Sequence, residues 1–408
     1  MKRVVVTGMG VMSPCGNDPA GFFANLLAAR SGIGRHSKSF SADATPWLTA
    51  EVPPFSTEGF TKMRLGTLDR TTLIALLTAR QALADAKLVV QDKSRAAVYW
   101  GTGLGGATTL DESYRLSLGN PAARVRPTTV VMTMNNAAAS EISLETGFTG
   151  PTYTYSIACS SSAIGIGEAL RAIRNGYCDC AIAGGADALL TLGSLKAWHA
   201  LQTLAREDAA NPAASCRPFS ADRSGFVLGE GAGAIVLEDA ASARARGATI
   251  YAELAGFGST SDASHITKPS VNGQTRAMHM ALNDAGLAPE DIGYINAHGT
   301  ATAVGDVVET HAIKSVFGAA AMRVPVSSTK ALHGHLMGAT GVVEFIAALL
   351  AMRENVVPPT AHLHKPDPAC DLDYVPNTAR RVDPLHAVMS NSFAFGGNNA
   401  VLIATRFT

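Results

Sequence analysis

Cys159 is the side chain of this 408-residue sequence whose position best suits covalent chemistry. Residues 151–155 before it alternate and are rich in aromatic and β-branched types, which predicts a strand. Apolar residues recur at helical spacing from Ala163 to Arg174, so Cys159 is expected where a strand meets a helix. The helix dipole and the free N–H groups there favour an anion, and we expect a stabilised thiolate. A lone cysteine can equally be a packing residue, so the assignment depends on its partners.

His298 and His335, two of the eleven histidines, each stand next to a glycine after a predicted strand. His298 follows the strand 292–297, and His335 follows the strand 324–328. We interpret most of the other histidines as core or surface residues. A cysteine and two histidines could bind zinc, but their spacing, with no second ligand near Cys159, argues against a metal site. The three residues form a candidate catalytic group if the fold brings them together.

The second part of the chain repeats the first in outline, which would bring these turns together. The predicted equivalent segments are 3–7 with 250–256, 97–100 with 292–297, 151–155 with 324–328, the helix after Cys159 with 342–353, and 178–185 with 387–399. This alternation predicts mixed, largely parallel sheets covered by helices. We expect two halves, residues 1–250 and 251–408, that pack as one body with their turns facing one cleft.

Three further segments have distinct patterns. Gly8 and Gly10 follow the opening strand, but Ser13 stands where a dinucleotide loop needs a third glycine, so we expect a plain tight turn. Residues 69–86 form a predicted amphipathic helix. Residues 129–146 are predicted to be helical and are unusually small, as expected of a tightly packed helix or a subunit contact.

Composition limits the class of protein. The net charge is zero, with 47% hydrophobic and only 16% charged residues, which favours a large core and an oligomer and gives no indication of nucleic-acid binding. The six cysteines have no disulfide or metal-binding spacing, which favours a reducing compartment. The start resembles no signal peptide, and the apolar run 342–352 is too short to cross a membrane. We therefore expect a cytoplasmic protein without membrane insertion.

Four motifs together give a specific resemblance. They are Ile-Ala-Cys-Ser-Ser at Cys159, Asn-Ala-His-Gly-Thr-Ala-Thr at His298, Ser-Ser-Thr-Lys-Ala-Leu-His-Gly-His at Lys330 and His335, and Asn-Ser-Phe-Ala-Phe-Gly-Gly-Asn-Asn from Asn391. The chain resembles the elongating type II β-ketoacyl-acyl carrier protein synthases from end to end. The resemblance implies the thiolase-like fold: duplicated α/β halves in five layers, α-β-α-β-α. It also implies a decarboxylative Claisen condensation on substrates carried by acyl carrier protein, with no metal or organic cofactor. A homodimer is implied, or a heterodimer with a related chain.

The resemblance also implies roles for the central residues. Cys159 would be the nucleophile, and the backbone N–H groups of Cys159 and Phe395 would form the oxyanion hole. Neutral His298 and His335 would donate Nε2–H to the thioester carbonyl of the malonyl group. Lys330 would hold the site electrostatically with Glu344 behind it, although an ordinary structural ion pair is an alternative for these two.

The same resemblance assigns the substrate path. Thr300 and Thr302 would bind the pantetheine arm. Phe395, followed by Gly396, would gate the acyl pocket, with Asp262, His265 and Thr267 in a mobile loop beside it. Leu104 would limit chain length, and residues 131–138 would line the acyl pocket of a partner subunit. The implied carrier-protein surface comprises Lys62, Arg64 and Arg206, although such charges are usually only solvated.

Three positions depart from the fatty-acid enzymes of this family. Ala394 replaces a usual glycine, Asn398 a usual threonine, and His333 a usual small hydroxyl residue. The Cβ of Ala394 would stiffen the gating loop. These departures leave the acyl chain open, and a type II polyketide or aryl polyene ketosynthase, working with a chain-length partner, is the alternative.

Other classes fit less well. A purely non-catalytic chain-length partner would lack the nucleophile. A thiolase would need a second cysteine near Phe395, and an initiating synthase would have asparagine in place of His335. A hydrolase would release the acyl chain from Cys159 to water, so that the chain could not be extended.

Overall fold

Ten strands of the computed structural model form one sheet built from two equivalent halves. The structure describes residues 2–37, 46–120, 122–382 and 384–408. The strands are β1 (Val4–Met12), β2 (Ile33–Arg35), β3 (Leu48–Ala50), β4 (Ala96–Gly101), β5 (Thr152–Tyr155), β6 (Cys180–Asp187), β7 (Leu228–Gly229), β8 (Gly231–Asp239), β9 (Ala252–Ser261), β10 (Tyr294–Asn296), β11 (Val326–Ser327), β12 (Val356–Val357), β13 (Arg380–Arg381), β14 (Ala387–Ala394) and β15 (Asn398–Thr405).

The α-helices pack on the faces of this sheet or connect its strands. They are α1 (Pro19–Leu27), α2 (Lys62–Leu65), α3 (Arg70–Ala86), α4 (Ala107–Gly119), α5 (Thr129–Thr133), α6 (Ala137–Thr146), α7 (Ser161–Arg174), α8 (Leu192–Ala200), α9 (Ala240–Ala245), α10 (Val271–Ala285), α11 (Gly305–Phe317), α12 (Lys330–His333) and α13 (Thr340–Glu354). Short 3-10 turns at Ala158–Ser160 and Met337–Ala339 precede α7 and α13. None of these helices combines the length and the apolar character needed to cross a bilayer.

The strand order confirms the predicted duplication. The order is β11-β10-β14-β15-β9 in one half and β1-β8-β6-β4-β5 in the other, joined through β9 and β1. In each half, two neighbouring pairs are parallel and two are antiparallel. The joining pair is also antiparallel, so the expectation of largely parallel pairing is wrong. The division of the chain between residues 250 and 251 stays a prediction.

Two buried helices separate the halves of the sheet. Helix α7 packs on β4 and β6, α13 packs on β14 and β8, and the two helices contact each other. Helices α3 and α10 cover the opposite faces. Residues 340–352 of α13 are buried without exception, because a helix that is apolar on every side must lie inside the protein. The result is the five-layered α-β-α-β-α arrangement expected from the sequence.

The glycines after the opening residues have a different role from the predicted one. Gly8 and Gly10 do not form a turn: they lie within β1, where a Cβ would stand 2.2 Å from a backbone oxygen of α3. Gly256 and Gly258 lie within β9, and a Cβ there would stand 2.3 and 2.1 Å from backbone oxygens of α10. Both pairs allow a helix to approach its strand closely, so they belong to the duplicated framework.

Two helix predictions have different outcomes. The helix predicted over 69–86 is confirmed as α3, which begins after Asp69, whose side chain caps the N–H of Thr71. The single helix predicted over 129–146 is wrong, because residues 134–136 separate α5 from α6.

Candidate active site

The nucleophile candidate lies in a strained turn between β5 and α7. Ala158, in the 3-10 turn that holds Cys159, has a φ of +45°, a conformation that alanine adopts only when its surroundings hold it there. The Ser161 hydroxyl supports the turn by accepting the Ile157 N–H at 2.8 Å. This geometry places the Cys159 thiol, which is only 6% exposed, at the inner end of a cavity.

The sulfur of Cys159 has three polar neighbours. His335 Nε2 lies 3.0 Å from Sγ, and the backbone N–H groups of Phe395 and of Cys159 itself point at the sulfur. Burial nevertheless raises the pKa of the thiol to about 11, against the opposing effect of the Lys330 charge. The expected stabilised thiolate is therefore wrong for the resting site, because desolvation outweighs the nearby donors.

His335 has its proton placed by its own turn. The Met337 N–H donates to Nδ1 at 3.3 Å, and Thr340 Oγ1 lies 2.9 Å from the same atom. Because a backbone N–H can only donate, Nδ1 is the acceptor and Nε2 carries the hydrogen that points towards Cys159. Burial and then the Lys330 charge lower the pKa of His335 well below its usual value, so the ring is neutral.

Neighbouring side chains hold His298 in the same state as His335, with a neutral ring and the hydrogen on Nε2. The Glu309 carboxylate accepts the N–H groups of His298 and Gly299 at 2.8 and 2.7 Å. Lys330 Nζ lies 3.4 Å from His298 Nδ1, and an ammonium can only donate, so Nε2 again carries the hydrogen. Burial and the Lys330 charge lower the pKa of His298 well below its usual value. Both imidazoles are thus neutral donors.

Lys330 and Glu344 form a fully buried ion pair. Nζ lies 2.7 Å from Glu344 Oε1 and also donates to the backbone carbonyl of His298. Burial raises the pKa of Glu344 to about 7 against the opposing effect of Lys330. Glu344 does not line the cavity and contacts the site through Lys330, so a role in substrate binding stays a prediction.

The cavity above the thiol has a volume of about 460 Å³ and opens to the surface. Several of the expected substrate and carrier residues line it: Thr300, Thr302, Phe395, Asp262 and Arg206. The two threonine hydroxyls lie 3.0 Å apart, and Arg206 is exposed. Asp262 also ties its loop down, because it accepts Asn399 Nδ2 at 2.7 Å and the Ser270 N–H at 3.0 Å.

Four other expected residues do not line this cavity. Leu104 lies in a loop after β4 and is 55% exposed. Gly396 donates its N–H to the Ile266 carbonyl at 2.6 Å. Arg64 is bound to the Glu141 carboxylate, and Lys62 is exposed on α2.

Two aromatic residues without a predicted role, Trp198 and Phe226, connect Phe395 to His335. The Trp198 ring stacks on Phe395 with centroids 6.0 Å apart, and it meets Phe226 edge to face. Phe226 in turn meets the His335 ring at 5.0 Å. Sequence reasoning also missed Glu309, although an acidic residue in an apolar helix after His298 is a usable signal.

The ligand atoms of Cys159, His298 and His335 all lie within 4.8 Å of one another. The fold therefore brings the three predicted residues together. A cysteine with two neutral N–H donors and two backbone amides suits attack on a carbonyl and stabilisation of the resulting oxygen anion. The absence of a metal from the reaction stays a prediction.

Comparison with protein families gives two matches. The family model for the N-terminal domain of beta-ketoacyl synthase matches residues 1–243, and the model for the C-terminal domain matches residues 251–364. A 3-oxoacyl-[acyl-carrier-protein] synthase 2 of Staphylococcus aureus strain N315 is 42% identical over 411 residues, which cover 100% of this chain and 99% of the relative.

Two solved structures have the same fold over 100% of both chains. The ishigamide ketosynthase/chain length factor has a TM-score of 0.93 at 34% identity. A type II PKS acyl-carrier protein in complex with its ketosynthase, bound to the hexaketide, matches with a TM-score of 0.92 at 30% identity.

Proposed function

This chain belongs to the β-ketoacyl synthase family, and we propose that it is a 3-oxoacyl-[acyl-carrier-protein] synthase that lengthens acyl chains by two carbons. The main supporting observation is the grouping around Cys159 Sγ. A neutral Nε2–H of His335 lies 3.0 Å from the sulfur, and two backbone N–H groups point at it. The partner is an acyl carrier protein, which presents the acyl group on its phosphopantetheine arm.

We assign the first half-reaction to Cys159. Its sulfur attacks the acyl thioester, and the N–H groups of Cys159 and Phe395 stabilise the tetrahedral oxygen anion. The acyl group stays on Cys159, and the departing pantetheine thiol takes up the proton that the cysteine loses. A thiol with a pKa near 11 needs this coupling, because little thiolate is present at neutral pH.

We assign the second half-reaction to the two histidines. Malonyl-carrier protein places its thioester carbonyl against the Nε2–H groups of His298 and His335, which stabilise the enolate as carbon dioxide leaves. The carbanion attacks the acyl-cysteine carbonyl, and the Cys159 thiolate departs and takes a proton from water. The product is a 3-oxoacyl chain on the carrier protein.

The cavity supports delivery of both substrates. Thr300 and Thr302 offer hydroxyls to the amides of the pantetheine arm, and Phe395 closes the inner end of the cavity. Arg206 at the mouth offers a positive charge to an acidic carrier protein. The chemistry requires no metal or organic cofactor, so a chelator should leave the rate unchanged.

We further propose a dimer through the side of the molecule that bears β5, an outer strand of the large sheet. Exposed apolar residues cluster on β5, α4, α5 and α6 and on the loops before α4 and between α5 and α6: Leu104, Tyr114, Leu116, Leu118, Val130, Val131, Met134, Leu144 and Tyr153. Such a surface favours a partner, and residues 131–138 would then reach that partner's acyl pocket. Light scattering should give twice the mass of the chain. The six cysteines are buried and free, which supports a cytoplasmic location.

A type II polyketide ketosynthase is the second candidate. The solved structures of a type II PKS ketosynthase at 30% identity and of the ishigamide ketosynthase/chain length factor at 34% identity favour it, as do the departures at Ala394, Asn398 and His333. The 42% identity to a 3-oxoacyl-[acyl-carrier-protein] synthase 2 favours the main proposal.

One experiment separates the candidates. The purified protein is incubated with malonyl-carrier protein and acyl-carrier proteins that range from short saturated to polyenoyl chains. Intact mass reports both acylation of Cys159 and the elongated product. Elongation of saturated chains of many lengths supports the main proposal, and turnover of only aryl or polyene chains supports the second. A protein that no substrate acylates, alone or with a candidate partner chain, contradicts both.

A further inference from the structure

A buried carboxylate at the end of β6 joins two loops of the active site. Asp187 accepts the Gly103 N–H and the Thr102 hydroxyl, each at 2.8 Å, from the loop after β4. It also accepts the Gly338 N–H at 2.6 Å from the turn before α13. Asp187 is fully buried, and burial raises its pKa to about 6. A carboxylate in this position costs stability, which calls for a functional reason.

The turn that Asp187 holds also places the proton of His335. Met337 has a φ of +50°, which methionine adopts only under constraint, and its N–H donates to His335 Nδ1. The next residue, Gly338, is pressed against Gly103, because a Cβ on it would stand 2.6 Å from the Gly103 nitrogen. The carboxylate therefore anchors the strained turn one residue beyond the amide that serves His335.

Gly338 is the counterpart of Cys159 in the duplicated fold. Each follows a residue with positive φ, at +45° for Ala158 and +50° for Met337, in a 3-10 turn that leads into a central helix. The N–H of Cys159 points at the reactive sulfur, whereas the N–H of Gly338 points at a carboxylate. The Asp187 carboxylate therefore stays bound where the N–H of the second turn could otherwise bind another anion.

We infer that Asp187 is a positioning residue for the condensation. By holding the Gly338 N–H, it keeps the Met337 N–H on His335 Nδ1 and so keeps the hydrogen on Nε2, where the developing oxygen anion needs it. The inference rests on the proposed function, because it concerns a step of that reaction.

Asp187→Asn tests the inference. An amide has one oxygen and one NH2 group. An NH2 group at the Oδ2 position would face the Gly338 N–H, and one at the Oδ1 position would face the Gly103 N–H, so a donor meets a donor in either orientation and the contact between the two loops loosens. We expect kcat for elongation to fall about 10- to 100-fold, since misplacement of a catalytic group by a fraction of an ångström has effects of this size. KM for malonyl-carrier protein should stay within about twofold, because Asp187 lies outside the cavity lining. Thr102→Val is the matched control: it removes a bond to Asp187 but keeps the Gly338 contact, and kcat should stay within about threefold.

The outcomes are distinguishable. Wild-type protein without product contradicts the proposed function, whatever the variant does. Active wild type with an unchanged kcat in Asp187→Asn overturns the inference, and so does a loss in which kcat, KM and the melting temperature all worsen together. If Asp187→Asn does not fold, Asp187→Glu decides: it keeps the charge but moves the oxygens by one methylene, and it must lower kcat without raising KM. An unchanged kcat in that variant overturns the inference.

Discussion

The turn before α7 and the turn before α13 are two copies of one local structure with different uses. In both, a residue of positive φ begins a 3-10 turn that leads into a buried helix. In the first copy the following residue is Cys159, and the amide of Phe395, just after β14, faces it from the other half. In the second copy it is Gly338, and the carboxylate of Asp187, at the end of β6, faces it from the other half.

The difference shows that the duplicated framework supplies geometry and the side chains supply chemistry. In the proposed reaction, the amides at the first turn are available to an oxygen anion that exists only during the reaction. The other has its anion built in as Asp187, which bonds the turn that serves His335. The predictions below test how far the two turns are independent.

Cys159→Ala should abolish both acylation of the protein and elongation. The thiol is the acceptor of the acyl group, so neither acyl-enzyme nor elongated product should form, a loss of at least about 10³-fold. Intact mass and product analysis measure both. Cys370→Ala, which removes another buried thiol, is the control and should keep activity. An acylated Cys159→Ala protein would contradict the assigned nucleophile.

His298→Ala should separate the two half-reactions. The loss of one N–H donor to the enolate should slow condensation about 10²- to 10³-fold. Acylation of Cys159 should change far less, because His335 rather than His298 bonds the sulfur. Single-turnover mass measurements give both rates, with the exposed His386→Ala as control. Equal losses in both steps would show that the two turns do not act separately.

Lys330→Met should weaken the protein as well as the site. It leaves Glu344 buried without its cation, which should lower the free energy of unfolding by about 3–5 kcal/mol. Urea unfolding measures the loss. The double variant Lys330→Met with Glu344→Gln should recover part of it, because no unpaired charge remains. A single variant as stable as the wild type would show that the pair contributes nothing.

Ala394→Gly should have the smallest effect. Ala394 is the last residue of β14, before the hairpin loop that carries Phe395, and glycine there adds freedom to the unfolded chain. We expect a loss of about 0.5–1 kcal/mol in the free energy of unfolding, measured in urea. A loss above about 2 kcal/mol would mean that the Ala394 methyl group acts mainly by packing among Trp198 and its apolar neighbours, and not by stiffening the loop.

Much of the fold was predictable, because periodicity and turn residues are local signals. The duplication and the helix predicted over 69–86 follow from these local signals. Gly8 and Gly10 were misassigned because a glycine that admits a helix looks the same in sequence as one that forms a turn. The prediction of one helix over 129–146 was wrong for a similar reason, because a run of small residues does not show where a helix ends.

The sequence by itself identified the candidate residues for the chemistry, since Cys159, His298, His335 and Lys330 stand in specific motifs. Only the tertiary structure decided their states. Cys159 and His335 are 176 positions apart and meet at 3.0 Å, and burial there makes the thiol and both imidazoles neutral. The roles of Asp187 and Glu309 were also decided there. Desolvation and hydrogen-bond direction depend on everything that surrounds a group, and a motif records only its neighbours along the chain.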